Sequence, residues 1–578
     1  MPRHELLNRR WRLEAAPDEA LAAALAASLP VPLPFARLLV QRGCTSAEGA
    51  RRFLRPTPAD LLDPALLPDI GPAVERLALA IRNRETVFLH GDYDVDGQCS
   101  AAIMTRIIRR AGGLAVPFVP HRLRDGYDLS DAGVRAAARA GATVLVTLDC
   151  GTTALGPVHD ARQAGMDVIV VDHHLPGATW PEAIALINPR RPDNTYPFPD
   201  LCGAGLAWKL ALALARATGV SESYPWHLLD LAALATVADL VPLTGENRAI
   251  VRLGLKIMRT TKWTGLRALL RESNLEGKTP KAGQIGFIVA PRINAAGRIG
   301  DATDGLTLLL SDDDGESAAL AAQLSRQNVE RQAIDQRTLS EALADLEATF
   351  DPARDIGVVL ARDGWHPGVI GIVASRVVER IARPTFLVAL DGPLGKGSGR
   401  SAGRCNLHRA LADCAPLLDK WGGHRMAAGL TVRRDRLEEF KVAFNRACAA
   451  QVGGDELVPT QRVDAVLGLG DLTLEFERLV RALEPTGMGN PGPVFGLEGV
   501  TLAGALKAIG DEHCRFTVTD GQGRLRTVAW GGREEVTRIL GPEQPVGRLR
   551  VAVKLERDDW QGVEQVEGRL VTLAVDAA

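Results

Sequence analysis

What most narrows the fold of this chain is a repeated pattern: three short aliphatic runs, each stopping at acid or histidine. Val87, Phe88 and Leu89 lead into His90, Asp92, Asp94 and Asp96 within the stretch TVFLHGDYDVDGQCS at 86–100. Thr143-Val-Leu-Val-Thr-Leu148 stops at Asp149-Cys150-Gly151, and Asp167-Val-Ile-Val-Val171 stops at Asp172-His173-His174. Runs this short and this rich in β-branched residues predict buried strands. Helix-like segments at 130–140 and 155–165 separate them. Alternating strand and helix predicts a parallel sheet, whose carboxyl ends share one edge. Open α/β sheets hold their ligands at that edge.

On this reading His90, Asp94, Asp96, Asp149 and His173 converge, although the sequence spreads them widely. Several carboxylates in one place repel unless something neutralises them, and a divalent cation is the simplest agent. For the first run alone, a solvated acidic turn before a helix cap stays open, with Gly97 making the turn and a packed helix following at 101–108. Mixed Asp and His ligation suits manganese, and the predominance of carboxylate oxygen admits magnesium.

The same blocks resemble a known family. The Asp-His-His triplet, with HGDYDVDG before it and LDCG between, is similar to the DHH phosphoesterase superfamily. Within it the chain resembles the RecJ family of single-strand-specific 5′-to-3′ DNA exonucleases, from about residue 35 almost to the end. Further blocks carry the likeness in order: PHRLRDGYDLS at 120–130, LATVADLVPL at 234–243, PRINAAGRIGDA at 291–302, WHPGVIGIVASR at 365–376, GGHRMAAG at 422–429 and EPTGMGNPGPVF at 484–495. The expected architecture is α/β: a parallel-sheet DHH domain and a smaller α/β DHH-associated domain joined by a long helix, then a C-terminal OB-fold barrel. The boundaries expected are 1–70 for an N-terminal helical segment broken by proline turns, 71–314, 315–350 for the connecting helix, 351–455, and 456–578 for the barrel.

A length of 578 residues accommodates three or four domains, and 46% hydrophobic with 24% charged residues describes an ordinary core-forming protein. The net charge of −2 means that any nucleic-acid site must be a local basic groove. Eight cysteines without metal-finger spacing predict reduced thiols and a cytoplasmic location. No apolar run approaches the roughly eighteen residues of a membrane span. Two motifs are set aside. Gly487-Met-Gly-Asn-Pro-Gly492 is expected to be a tight turn, because Pro491 and Pro493 preclude a dinucleotide-binding helix. Gly395-Lys-Gly-Ser398 lacks both the spacing and the following helix of a phosphate loop.

Two cations roughly 3.5–4 Å apart can activate a water and stabilise the attacked phosphorus and leaving oxygen. The resemblance implies that His90, Asp94 and Asp149 hold one ion, Mn2+ or Mg2+, and Asp96, Asp149, His173 and Asp239 the other. Asp149, on the middle strand, is the natural bridge. Asp172 is expected to orient the neighbouring imidazoles and His174 to touch the scissile phosphate. For Asp239, a solvated helix end is the alternative to ligation. Candidates for substrate contact are Arg122, Arg292, Arg298 and Arg400, suited to reading a 5′ phosphate, with Asn294, Ser398 and His424 beside them. Each arginine has the alternative of tying domains together. Tyr127 and Trp530 are candidate stacking platforms, with Trp530 equally readable as core.

The activity implied is metal-dependent 5′-to-3′ degradation of single-stranded DNA to mononucleotides, in repair and recombination. Single-strand-binding protein and a helicase are the implied partners of a monomer with no membrane association. The alternatives are a DHH phosphodiesterase for short oligonucleotides or cyclic dinucleotides, which leaves the barrel without a task, and an inactive binding subunit, which the intact ligand set disfavours.

Overall fold

A computed structural model of the chain describes residues 9–122, 124–126, 128–403, 405–453, 457–541, 547–559 and 562–575. The three aliphatic runs are the strands Thr86–Gly91, Val144–Leu148 and Asp167–Val171. With Leu114–Phe118 and Ala185–Ile187 they form an all-parallel sheet. Its order places Thr86–Gly91 between Leu114–Phe118 and Val144–Leu148, followed by Asp167–Val171 and Ala185–Ile187. Val144–Leu148 is buried along its whole length, as expected of a strand covered on both faces. The chain reverses direction across the sheet between Thr86–Gly91 and Val144–Leu148, the point where such sheets open a crevice. Register extends the ladder one residue past each strand. Asp92 N–H donates to Leu148 O, Asp149 N–H to Val171 O and Asp172 N–H to Ile187 O. Three acids are thereby set in a row along the carboxyl edge.

The helices Val95–Arg110, Gly203–Thr218 and Leu229–Ala238 back this sheet, burying mainly small and aliphatic side chains with Asp96, Gln98, Arg106, Lys209 and Asp230 among them. The first of them begins at Val95, earlier than the expected 101–108. Asp94 caps it, its side chain accepting from the N–H groups of Asp96 and Gly97. Gly97 is therefore in the first helical turn rather than at a bend. A Cβ there would lie 2.2 Å from Asp92 N, so glycine is needed for close approach.

Two compact units result. One takes in Ser46–Val329 with Leu483–Gly492 and contains the parallel sheet; the other takes in Met1–Thr45, Glu330–Ala482 and Pro493–Ala578. The helix Asp314–Thr349 carries the chain from one to the other. The second unit holds a mixed five-stranded sheet, in which Val358–Asp363 and Thr385–Asp391 run parallel and Leu394–Arg400, Ala427–Arg433 and Leu418–Gly423 follow antiparallel. It also holds a barrel built from Phe495–Leu502, Leu549–Asp558, Gln565–Val575, Arg524–Ala529 and His513–Thr519, closed where Thr501 pairs with Thr519. Gly395–Ser398 is plain strand, and Gly487 bridges to Asn490 in a turn. The N-terminal part is not all helical. Arg10–Leu13 is a strand parallel to Thr460–Val463; its four residues are too short for periodicity to reveal, and its partner lies far along the sequence. No single helix among the described residues is long and apolar enough to cross a membrane.

Candidate metal centre

The first strand delivers Asp92 and Asp94 into a loop that folds back on the helix it caps. Asp96, one turn in, is held from outside: the N–H groups of Gly203 and Ala204, at the start of Gly203–Thr218, donate to its two oxygens at 2.7 Å each. A helix N-terminus favours an anion there. The same approach brings that helix against Asp149, for a Cβ on Gly203 would lie 2.7 Å from the Asp149 Cβ. Asp149 itself has φ 62°, a left-handed conformation that costs a non-glycine residue about 1–3 kcal/mol. Asp239 ends the helix Leu229–Ala238.

His173 Nε2 lies 3.1 Å from Asp149 Oδ1, 3.5 Å from Asp239 Oδ2 and 3.7 Å from Asp96 Oδ2. Three sets of donor atoms each fall within 4.8 Å: Asp149 with His173 and His174, Asp96 with His173 and Asp239, and Asp92 with Asp94 and Asp149. Asp149 Oδ1, Asp92 Oδ1 and both ring nitrogens of His173 are buried without a hydrogen bond; the 3.1 Å approach is close without the geometry of one. Buried polar atoms left unpaired are costly, and Asp149 shares one donor set with Asp92 and another with His173. Burial first, then repulsion from neighbouring carboxylates, pushes the Asp92, Asp149 and Asp239 carboxyls far up. Burial also raises Asp96, despite the two N–H donors, and lowers His173. Carboxylate oxygens and imidazole nitrogens in this state fit a divalent cation of the hard-to-borderline class.

Behind these atoms stands a hydrogen-bonded frame. Asp172 Oδ1 lies 2.7 Å from His174 Nδ1 and accepts from the His173 and His174 N–H groups, while Oδ2 accepts from Thr152. Asp172 thus orients the His174 ring and the main chain of both histidines. Burial opposes charge on His174, but Asp172, Asp239 and Asp92 outweigh it and push its pKa up to about 9. Asp172 is held below the usual carboxylate range by His174 against the cost of burial. Asp128 lies in the family-like block at 120–130 but is not among the expected site residues. It accepts from Gly151 N–H at 2.7 Å and from the Thr153 hydroxyl at 3.0 Å, fixing the loop that carries Asp149.

The structure brings together Asp94, Asp96, Asp149, His173 and Asp239 of the expected set, adds Asp92, and places His90 apart. The His90 ring packs against Phe118 at 5.3 Å, with Nδ1 3.7 Å from the Cys150 sulfur and Nε2 facing Gly133. Burial lowers its pKa to about 4. Asp92 shares the first loop with the expected ligands, and that proximity is the sequence signal for it.

Of the substrate candidates, Arg122 stacks over the Tyr93 ring at 4.9 Å, and Arg298 also bears electrostatically on Tyr93. Asn294 Oδ1 accepts from Val95 N–H, so this side chain braces the acidic loop. Arg292 donates to the Ser325 hydroxyl and to Ile288 O within its own helical region. Ser398 and Arg400 lie on the strand Leu394–Arg400 of the other unit, where Arg400 Nη1 donates to the Ser398 hydroxyl at 3.2 Å. His424 is exposed in that unit, its N–H donating to Ala427 O. Trp530 is 54% exposed, edge-on to His513, so it is surface and not core. Tyr127 lies outside the described residues.

Three family models match the chain: residues 86–236 the DHH family N-terminal domain, 355–450 the DHHA1 domain and 463–571 the RecJ OB domain. The single-stranded-DNA-specific exonuclease RecJ of Dickeya dadantii (strain 3937) is 38% identical over 563 residues, covering 93% of this chain and 96% of that one. The crystal structure of RecJ in complex with Mn2+ from Thermus thermophilus is similar with a TM-score of 0.84 at 32% identity, over 98% of this chain and 80% of that one. The corresponding Mg2+ complex is similar with a TM-score of 0.77 at 31% identity, over 98% and 79%.

Proposed function

The chain belongs to the RecJ family of single-stranded-DNA-specific exonucleases, and from that premise we propose that it removes mononucleotides from the 5′ end of single-stranded DNA. It is a hydrolase dependent on divalent cations, Mn2+ or Mg2+, as the metal-bound relatives support. One observation carries the reading: buried, unpaired carboxylate and imidazole atoms cluster at the carboxyl edge of the parallel sheet. Bound cations would supply an activated water and neutralise charge developing on the phosphate.

The protein's own groups do the rest. Asp92, Asp94, Asp96, Asp149, His173 and Asp239 hold the cations, with Asp149 common to two of the three donor sets. Main-chain N–H groups at the N-termini of two helices donate to Asp94 and Asp96 and hold these side chains in place. His174, charged through Asp172, presents a positive donor to the scissile phosphate. Arg122 and Arg298 flank Tyr93 beside the acids and bind the strand near the cut. Arg400 with Ser398 reads the terminal phosphate, and Trp530 stacks an unpaired base. The division of labour follows the expected boundaries: 71–314 for chemistry, 315–350 as connector, 351–455 for phosphate contact and 456–578 for holding the strand. Single-strand-binding protein and a helicase complete the setting of a monomeric enzyme in repair and recombination.

The test is digestion of oligonucleotides labelled at one end, single-stranded or duplex, with Mn2+, Mg2+ or chelator. Mononucleotides should appear from the 5′ end of single strands only, and nothing with chelator. Cutting that begins at the 3′ end, or that prefers blunt duplex or a cyclic dinucleotide, overturns the proposal.

A further inference from the structure

Two thiols touch in the core of the unit that holds the mixed sheet. Cys405 lies in the turn between the strand Leu394–Arg400 and the helix Leu407–Asp413, and Cys448 lies on the helix Leu437–Val452. Their sulfurs are 3.4 Å apart, although 43 positions separate them in sequence. Both are buried in one apolar cluster, which also takes in Cys414. Cys150 and Cys202, by contrast, set their sulfurs against His90 and Thr236.

Hydrogen bonds on both sides hold the two sulfurs together. One turn before Cys448, Asn445 Oδ1 accepts from the N–H groups of Ile356 and Gly357. One turn after it, Gln451 Oε1 accepts from Asn406 N–H and Gln451 Nε2 donates to Asn406 O. Residues at this spacing share a helix face, so the face is pinned above and below the sulfur. Gly357 makes room for it, since a Cβ there would lie 2.8 Å from Cys448 Sγ. Cys405 is fixed in turn by its neighbour Asn406 and by the Ser401 hydroxyl, which donates to Cys405 O at 2.7 Å. A disulfide needs its sulfurs at about 2.05 Å, so roughly 1.4 Å of closure suffices. The two thiols are not equivalent. A thiolate at Cys405 accepts from the Cys448 S–H, which lowers the Cys405 pKa and raises that of Cys448. Cys405 also stands next to the partly exposed Asn406, whereas Cys448 is on the core side of its helix.

We propose that Cys405 and Cys448 are a peroxide-sensitive dithiol that closes to a disulfide, tying the turn after Arg400 to the helix Leu437–Val452. The Cys405 thiolate attacks one oxygen of hydrogen peroxide. An S–O bond forms, the O–O bond breaks, and the departing hydroxide joins the proton given up by the Cys405 thiol as water. The Cys448 sulfur then attacks the sulfenic sulfur of Cys405. An S–S bond forms, the S–O bond breaks, and the hydroxyl leaves with the Cys448 proton as a second water. Two thiols are oxidised and one peroxide is reduced to two waters. A small thiol reverses the step by exchange. The cysteines are free thiols at rest, and a pair that closes only with oxidant and reopens with thiol keeps that resting state. The step is independent of the exonuclease reading.

The experiment treats the full chain, first reduced, with stoichiometric hydrogen peroxide, blocks the remaining thiols and maps tryptic peptides by mass. Cleavage after Arg409, Lys420 and Arg446 puts Cys405, Cys414 and Cys448 on three different peptides. The Cys405 and Cys448 peptides should be joined, with the chain lighter by about 2 Da, the two hydrogens lost. Free thiols in denaturant should fall from eight by the two of the pair, and dithiothreitol should restore them. The closed form should melt about 5 °C or more above the reduced one, because the bond spans a separation of 43 residues. Cys405→Ala and Cys448→Ala should each lose the link and the shift, and Cys414→Ala should keep both. Mapping the wild type needs no variant, so one that fails to fold leaves the test intact. A pair that stays reduced, Cys405 carried to sulfinic acid without a link, or a link through Cys414 overturns the proposal, and the contact is then packing alone. A linked chain that melts with the reduced one overturns it too, since the bond then ties nothing.

Discussion

The chain ends parallel strands in aspartate in both units, with opposite electrostatics. In the first unit Asp149 and Asp172 follow buried strands at the edge of an all-parallel sheet. In the second, Val358–Asp363 and Thr385–Asp391 are also a parallel pair, and each ends in an acid. Yet Asp363 is exposed and paired with Arg434, which holds its carboxyl below the usual range. Asp149 is 2% exposed, pairs with no arginine among the described residues and is pushed the other way. The topological place is the same, so topology alone does not make a site. What differs is cover. Helices seal both faces of the first sheet and bring their N-termini against the acids, whereas antiparallel strands follow the second pair and leave its ends in water.

If burial without a counter-ion is what makes the first edge a cation site, emptying it should have the largest effect. Asp149→Ala is expected to lower cleavage of single strands by about a thousandfold or more. It should not lower the melting temperature, because a repelled and strained carboxylate is removed. Saturating Mn2+ should stabilise the wild type, by about 2.7 kcal/mol at a hundred times Kd, and much less the variant. Digestion assays and melts with and without metal check both, and near-normal activity in Asp149→Ala would break the comparison.

A second buried acid separates burial from cation binding. Asp230 accepts from the Thr261 hydroxyl and the Trp263 indole in the core of the same unit and belongs to none of the donor sets. Burial raises its pKa from 3.8 to about 7. The native state then keeps a proton that the unfolded chain has already lost. Stability is full below the unfolded value, falls as pH rises through the window to about 7, and is flat above it. A gap of that size corresponds to roughly 4 kcal/mol. Asp230→Asn should remove this slope in denaturant titrations at a series of pH values and leave metal-induced stabilisation intact. An unchanged slope would show that Asp230 is ionised in the core.

The frame behind the acids should matter less than the acids. Asp172→Asn keeps the shape but removes the charge that holds the His174 proton, and changes of this kind cost about 10–100-fold in affinity or activity. Cleavage rates, compared with those of His174→Gln, check it: if His174 acts through Asp172, the double variant should be little worse than either single one.

The sheet edge was legible because strands stopping at acids report period and chemistry together, and five of the six expected ligands meet there. His90 was not legible. Its spacing suits a ligand, but the register of Thr86–Gly91 opposite Val144–Leu148 sets it beside Thr147, inside the sheet. Asp92, one residue past the ladder, reaches the donor set instead. Asn294 and Asp128 brace loops through hydrogen bonds to main-chain N–H groups far away in sequence, and no local pattern records such partners. The strand Arg10–Leu13 was lost for the same reason: its partner, Thr460–Val463, is distant. The long helix Asp314–Thr349, by contrast, needs nothing distant; an uninterrupted run of helix formers suffices.

The smallest expected effect is the sharpest check on the comparison. Asp363 sits where Asp149 would sit if strand ends alone conferred function, but it is solvated and its charge is already met by Arg434. Exposed pairs of this kind contribute little to stability and are screened by salt. Asp363→Asn should therefore leave the melting temperature, the Mn2+-induced stabilisation and the rate on single strands within error of the wild type. Loss of any one of these would mean that the second sheet's edge takes part in catalysis or folding in its own right, and burial would no longer explain why one row of acids is a site and the other is surface.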